Sequence, residues 1–144
     1  MASTASLEEL KRIARQVPEA IATEGNLDRI DEVYAEDAIE HDPFGDHHGR
    51  AEIRESMEQV FAAFAVFSAT VEDVIAEDDR VAMRVRLSGT HDGEFMGFEP
   101  TGRTFEVQNM VFTRIEDGQI AERWVQPDGF GQLAQLGVID PPSQ

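Results

Sequence analysis

Cysteine is missing from all 144 residues, and its absence excludes disulfides, iron–sulfur clusters, thiolate zinc sites and cysteine nucleophiles. Positive charge is scarce as well: 12 Lys and Arg stand against 29 Asp and Glu, a formal net charge of -17. Lys11 is the sole lysine among them. A chain this acidic offers no basic patch to nucleic acid or to an anionic membrane surface. It reads either as an ordinary acidic protein or as one from a halophile, where molar salt shortens the Debye length to about 3 Å and screens self-repulsion. Long apolar runs are lacking too. The longest, VFAAFAVF at Val60–Phe67, is far short of the roughly 20 residues that span a bilayer. The start, MASTASLEELKR, has no apolar leader core. A soluble, cytoplasmic protein is therefore expected. No repeat or low-complexity linker breaks the chain, and 41% hydrophobic residues suffice for one core. Residues 1–144 read as a single domain.

The first half has helical spacing. Ser6 and Glu9 form a capping box ahead of Leu7, Leu10, Ile13, Ala14 and Val17. Pro18 should kink or divide that helix, which resumes to Thr23, and Gly25 should end it. Asn26 can cap a short helix carrying Leu27, Ile30 and Val33. After Gly49, Ile53, Met57, Val60, Phe61 and Phe64 mark the apolar stripe of a third helix. The second half alternates. Val81, Met83, Val85 and Leu87 interleave with Arg84, Arg86 and Ser88 after a turn at EDD (Glu77–Asp79), and Asp117-Gly118 is a hairpin turn signal. A last short helix covers GQLAQLG. The pattern predicts an α+β domain, helical over about 6–64, a sheet over about 67–127, and a tail at 138–144.

Several phrases carry a resemblance: EDAIEHDP, GRAEIRESM, SGTHDGEFMGFEPTGR, FTRIEDGQIAERW, and Asp128 seven residues before Gln135 in QLG. Together they resemble the SnoaL-like polyketide cyclases of the nuclear-transport-factor-two-like superfamily. That resemblance implies a cone-shaped fold, in which a strongly curved antiparallel sheet and N-terminal helices enclose a pocket, and a homodimer. It also implies acid–base enzymes whose aspartate removes a proton beside a carbonyl, and Asp128 matches that position.

The residues themselves allow more than one assignment. By two-residue alternation Glu122, Trp124, Gln126 and Asp128 share a face, on which Trp124 would help desolvate the Asp128 carboxylate. Asp128 before Gly129 can equally cap the last helix. The strand Arg103–Ile115 has no histidine, and either Gln108 or Asn109 could hydrogen-bond a developing enolate. His91 could supply the acid–base partner or merely order its loop. Phe98 and Phe112 suit an apolar wall. Tyr34, phased with Ile30 and Val33, could complete an oxyanion hole or sit in the core.

The stretch EHDPFGDHHGR concentrates three of four histidines. Its ligand types suit a metal, but adjacent His47 and His48 point apart in extended chain and no H-x-x-x-H spacing occurs. No metal is expected. The resemblance implies that EHDP ends a first strand, in which His41 and Asp42 alternate so that one of the two should face the pocket, and that FGDHHGR is a turn feeding the third helix. The reading is a cyclase- or isomerase-type enzyme acting on a small apolar carbonyl compound without a cofactor. The alternatives are a non-catalytic binding or dimerisation module and, more remotely, an epoxide hydrolase.

Overall fold

The computed structural model describes residues 6–140; of the tail expected at 138–144, residues 141–144 lie outside it. Helix α1 spans Leu7–Gln16, and the Ser6 hydroxyl accepts the Glu9 amide at 3.1 Å. Glu8 and Glu9 in the first turn suit the positive end of its dipole. Pro18 falls where the helix changes form, as expected of it. It lies in a π-helical segment, Val17–Thr23, that continues α1 and buries Val17, Pro18 and Ile21. Thr23 Oγ1 pins the end of that segment to the sheet, accepting the Ala69 amide at 2.8 Å. A 3-10 turn, Leu27–Arg29, leads into α2 (Ile30–Val33).

Two strands then interrupt the helical half, the expected first strand that ends in EHDP and a second that was not expected. β1 is Tyr34–Asp42 and β2 is Gly45–His48. Tyr34 therefore opens a strand instead of continuing a helix, and GDHH is an edge strand rather than a turn. Helix α3 follows at Gly49–Ala63. Then come β3 (Phe64–Glu77), β4 (Arg80–His91), β5 (Thr104–Glu116), β6 (Gln119–Pro127) and helix α4 (Gly129–Leu136).

The six strands lie in the order β2-β1-β6-β5-β4-β3. Every neighbouring pair is antiparallel except β1 with β6, which run parallel. The sheet curves without closing, and its irregularities supply bend and twist. β3 slips register against β4 twice, and Val66 there adopts φ 52° with its side chain turned out. β6 slips once: Ile115 faces Ile120 but Arg114 faces Glu122, so Ala121 is an extra residue. That bulge reverses the facing of all that follows on β6.

On β5, Phe105, Val107, Asn109, Val111, Thr113 and Ile115 all face inward. The helices cover this concave side and build the main core with Leu10, Ala14, Ile21, Ile30, Ile53, Val81 and Val85. A smaller cluster of Phe64, Phe105, Val107 and Leu136 closes the other end. Helix α4 docks there because the Gln135 amide imitates a strand: it accepts the Glu106 N–H at 2.7 Å and donates to the Glu106 carbonyl at 3.1 Å. The loop after β4 folds onto the end of α3, and a Cβ at Gly93 would stand 2.0 Å from the Ala62 carbonyl oxygen.

Candidate active site

Between the two apolar clusters lies a cavity of about 160 Å³. Its walls are apolar: Val60, Phe61, Phe64, Phe67, Leu87 and Phe95 are representative. Phe44 is 61% exposed yet also lines the cavity, so it stands where the cavity meets solvent, edge-on to Phe95 at 6.1 Å. Against this lining a few polar side chains converge: Glu40, Asp42, Ser56, Asn109, Arg123 and Gln132.

Glu40 and Arg123 form a buried pair on parallel neighbours β1 and β6, where they are register partners. Arg123 Nη1 donates to Glu40 Oε1 at 2.8 Å, and the Tyr34 hydroxyl donates to the same oxygen at 2.7 Å. The side chains of Arg123 and Glu40 are 8% and 5% exposed. Burial, reinforced by Glu40, pushes the Tyr34 phenol well above its usual range, so it stays a donor. Burial opposes the Arg123 charge, but Tyr34 and Glu40 outweigh it and the guanidinium is held more firmly protonated. Arg123 Nε keeps no partner.

Asp42 ends the same strand, two residues on, and faces the cavity too. Its Oδ2 meets His47 Nε2 at 2.9 Å and its Oδ1 accepts the Phe44 amide at 2.8 Å. The two side chains are 13% and 20% exposed. Asn109, 4% exposed, has no partner for Oδ1 and borders the same space. The unmet atom is an acceptor, so it suits a ligand hydroxyl or N–H, and the amide's Nδ2 is left to donate to a ligand oxygen.

Of the expected pairs, Asp42 and Asn109 take the cavity. His41 and Gln108 take the opposite face of the sheet. There His41 stacks on Trp124, with ring centroids 5.4 Å apart, and Phe112 meets Trp124 edge-on at 5.9 Å. Trp124, Phe112 and Gln126 consequently do not line this cavity; the bulge at Ala121 puts Arg123, Val125 and Pro127 there instead. The same shift carries Asp128 outward. Its carboxylate is exposed and caps α4, accepting the Gly131 amide at 2.8 Å, and it does not line the cavity. His91 is fully buried beside Phe64, its Nδ1 accepting the Thr101 amide at 3.2 Å, so it orders the loop after β4 and does not reach the cavity. Phe98 bridges to Phe95, and Phe95 is the one that lines the cavity. Tyr34 sits in the core, reaching the site only through Glu40.

Glu40, Arg123, Gln132 and the role of His47 were not foreseen. A signal for Glu40 was available, since it shares the two-residue phase of Ala38 and Asp42 on β1; Arg123 carried none, because the bulge at Ala121 sets its phase. The residues of EHDPFGDHHGR divide between the two faces, and among the described residues no group of three His, Asp or Glu could hold a metal ion.

A family model for the SnoaL-like polyketide cyclases matches residues 12–136. The nogalonic acid methyl ester cyclase of Streptomyces nogalater is 32% identical over 120 residues, covering 78% of this chain and 87% of the relative. Aklanonic acid methyl ester cyclase AcmA of Streptomyces galilaeus is 38% identical over 71 residues, a match spanning about half of each chain, 48% and 49%. Among solved structures, IdmH of Streptomyces antibioticus superposes with a TM-score of 0.79 at 36% identity, covering 89% of this chain and 98% of that one. TsrD of Streptomyces laurentii shares the fold, with a TM-score of 0.85 at 24% identity over 94% and 99% of the two chains.

Proposed function

The chain belongs to the SnoaL-like polyketide cyclase family, and we propose that it closes a ring in a small apolar carbonyl compound by cofactor-independent acid–base chemistry. The observation that carries this reading is the Asp42 carboxylate, mostly buried, hydrogen-bonded to His47 and opening on an apolar cavity. In this scheme Asp42 removes a proton from the carbon beside a ketone. The enolate oxygen that forms is met by the Asn109 amide, whose Nδ2 donates. The enolate carbon then attacks a second carbonyl of the same molecule, forming a carbon–carbon bond. The new alkoxide takes back the proton held by Asp42, with His47 keeping the carboxylate oriented. No atom is gained or lost, so the product has the mass of the substrate. Glu40 is a poorer choice of base, because two donors already occupy its Oε1. Asp128 is poorer still as an exposed cap.

The relatives suggest probes: nogalonic and aklanonic acid methyl esters. Asp42→Asn should slow ring closure of an accepted probe by about 10²-fold or more, the usual weight of a positioned acid–base group, while thermal stability stays near wild type. An Asp42→Asn protein that cyclises at the wild-type rate would sink the assignment.

The partner we propose is a second copy of the chain. Met110, 54% exposed, and Phe112, 41% exposed, stand beside Trp124 on the uncovered face of the sheet, an apolar patch that a twofold-related copy can cover. Sedimentation should give a dimer, and Met110→Glu with Phe112→Glu should give a monomer; a monomeric wild type would refute this.

A further inference from the structure

The cavity face of β1 is only half of what holds Asp42. β2 is the outermost strand, with β1 as its single neighbour in the sheet. Its four residues are largely exposed, and edge strands of that length have little backbone pairing to fix them. Side chains do the fixing. On the cavity face Asp42 holds His47, and at the end of the strand Glu52 of α3 accepts the His48 amide at 2.8 Å. On the opposite face, His41 Nδ1 lies 2.7 Å from Asp46 of β2, its cross-strand partner, and Nε2 lies 2.6 Å from Glu122 of β6.

Both ring nitrogens of His41 thus face carboxylate oxygens. A neutral imidazole has one N–H and one lone pair, so one of these contacts would set lone pair against lone pair. Imidazolium satisfies both. Glu122 and Asp46 favour that charge and outweigh the cost of burying it. Trp124 of β6 stacks against the ring with its planes 21° apart. Arg114 of β5 holds Glu122 at 3.4 Å and helps keep it ionised. On β2, His47 and His48 lie close enough to Asp46 to help keep it ionised. On β1 the next residue is Asp42 itself, and on the other face Arg123 is neutralised by Glu40.

We propose that His41 is a positioning residue for the Asp42–His47 pair: as imidazolium it straps the edge hairpin to β6, and losing its proton slackens the strap and lets the pair drift. The inference rests on reading Asp42 as the acid–base group. It goes further by tying that group to a titration on the opposite face of the sheet, one residue away. Hydrogen-bonding to Glu122 and then Asp46 raises the His41 titration above its ordinary value. Turnover should accordingly fall on the alkaline side of that midpoint, through kcat more than KM, because the cavity walls do not change.

The test needs no substrate. Ring-nitrogen and amide spectra of the full chain are recorded across pH, following His41 and the Phe44 amide that donates to Asp42. We expect two protonated His41 nitrogens at neutral pH and a Phe44 signal that titrates with the His41 midpoint. Since His47 also touches Asp42, Glu122→Gln is the discriminating variant: it should lower both midpoints together, by about one pH unit, and His41→Gln should remove that step from the Phe44 curve. A His41 midpoint that moves while Phe44 stays put overturns the proposal, as does a singly protonated His41 ring at neutral pH. The spectra judge the strap, and Asp42→Asn turnover judges the cyclase reading, so either can fail without the other. With an accepted probe, the alkaline limb of kcat should follow the Glu122→Gln midpoint; a limb that does not move also overturns it.

Discussion

Glu40→Gln isolates what the buried charge pair does for the fold. The substitution keeps the shape of the side chain and leaves an oxygen that can accept from Tyr34. It removes the one negative charge bonded to Arg123, whose side chain is 8% exposed. Arg123 Nε already lacks a partner, so the guanidinium would be left buried with little to compensate it. Removing one member of a buried pair costs roughly 3–5 kcal/mol. Against the roughly 5–15 kcal/mol that holds a typical domain together, that is a large fraction. For a chain near this length each kcal/mol moves Tm by about 3–4 °C, so the midpoint should fall by roughly 9–20 °C. Urea unfolding at fixed pH gives the same quantity independently, as a lower midpoint with an unchanged slope.

The reasoning makes a sharper demand on the double variant. If the penalty lies in the orphaned charge and not in the lost attraction, Glu40→Leu with Arg123→Met should unfold much closer to wild type than Glu40→Gln does, because no ion is then buried. Tyr34→Phe should be mild, about 1–3 kcal/mol, since it deletes one hydrogen bond to a charged acceptor and strands nothing else. A Glu40→Gln protein within about 3 °C of wild type, or a double variant worse than the single, would refute the argument.

Two further outcomes follow from the structure. Asp128→Ala should lower stability by about 1 kcal/mol through loss of the α4 cap, Asp128→Asn should be nearly neutral, and neither should slow turnover of a probe substrate; a large rate loss would return the base to Asp128. Stability should also depend on pH through the His41 cluster. The His41 titration is raised in the fold, so its contribution is fully present below the unfolded value near 6.5 and is lost as pH rises through the folded midpoint. Asp46 and Glu122 are lowered, so theirs is present above about 4.5 and lost as pH falls through their folded midpoints. Urea midpoints should therefore peak between about pH 4.5 and 6.5 as far as this cluster is concerned. His41→Gln should flatten the alkaline decline, and an unaltered decline would contradict the assignment.

Most of the element order was legible because it rests on local chemistry: Ser6 capping, the α3 stripe, the two hairpins at Asp78-Asp79 and Asp117-Gly118, and the alternation along β4 and β5. The site was legible only where alternation ran unbroken. On β1 the phase holds from Ala38 through Glu40 to Asp42, so the choice between His41 and Asp42 reduces to which face is apolar. On β5 the inward run of Val107, Val111 and Ile115 places Asn109 inward and Gln108 outward. β6 is where the reading turned over. With the two-residue turn at Asp117-Gly118 and no bulge, Ile115 opposite Ile120 would bring Thr113 opposite Glu122 and Val111 opposite Trp124. Glu122, Trp124 and Gln126 would then face the cavity, with Asp128 continuing their phase. One extra residue at Ala121 exchanges the two faces. Nothing in IAERWVQ marks that residue, because Ala is compatible with either arrangement. What selects the bulge is tertiary: in the bulged register Arg123 reaches Glu40, and Trp124 stacks on His41, whereas the unbulged one would turn Arg123 away from Glu40 and place Glu122 against the apolar interior. The cost of a buried, unpaired Glu40 exceeds that of a local break in one ladder. The charge pair that Glu40→Gln is designed to break is therefore also what sets the face of β6, and with it which residues can touch a substrate.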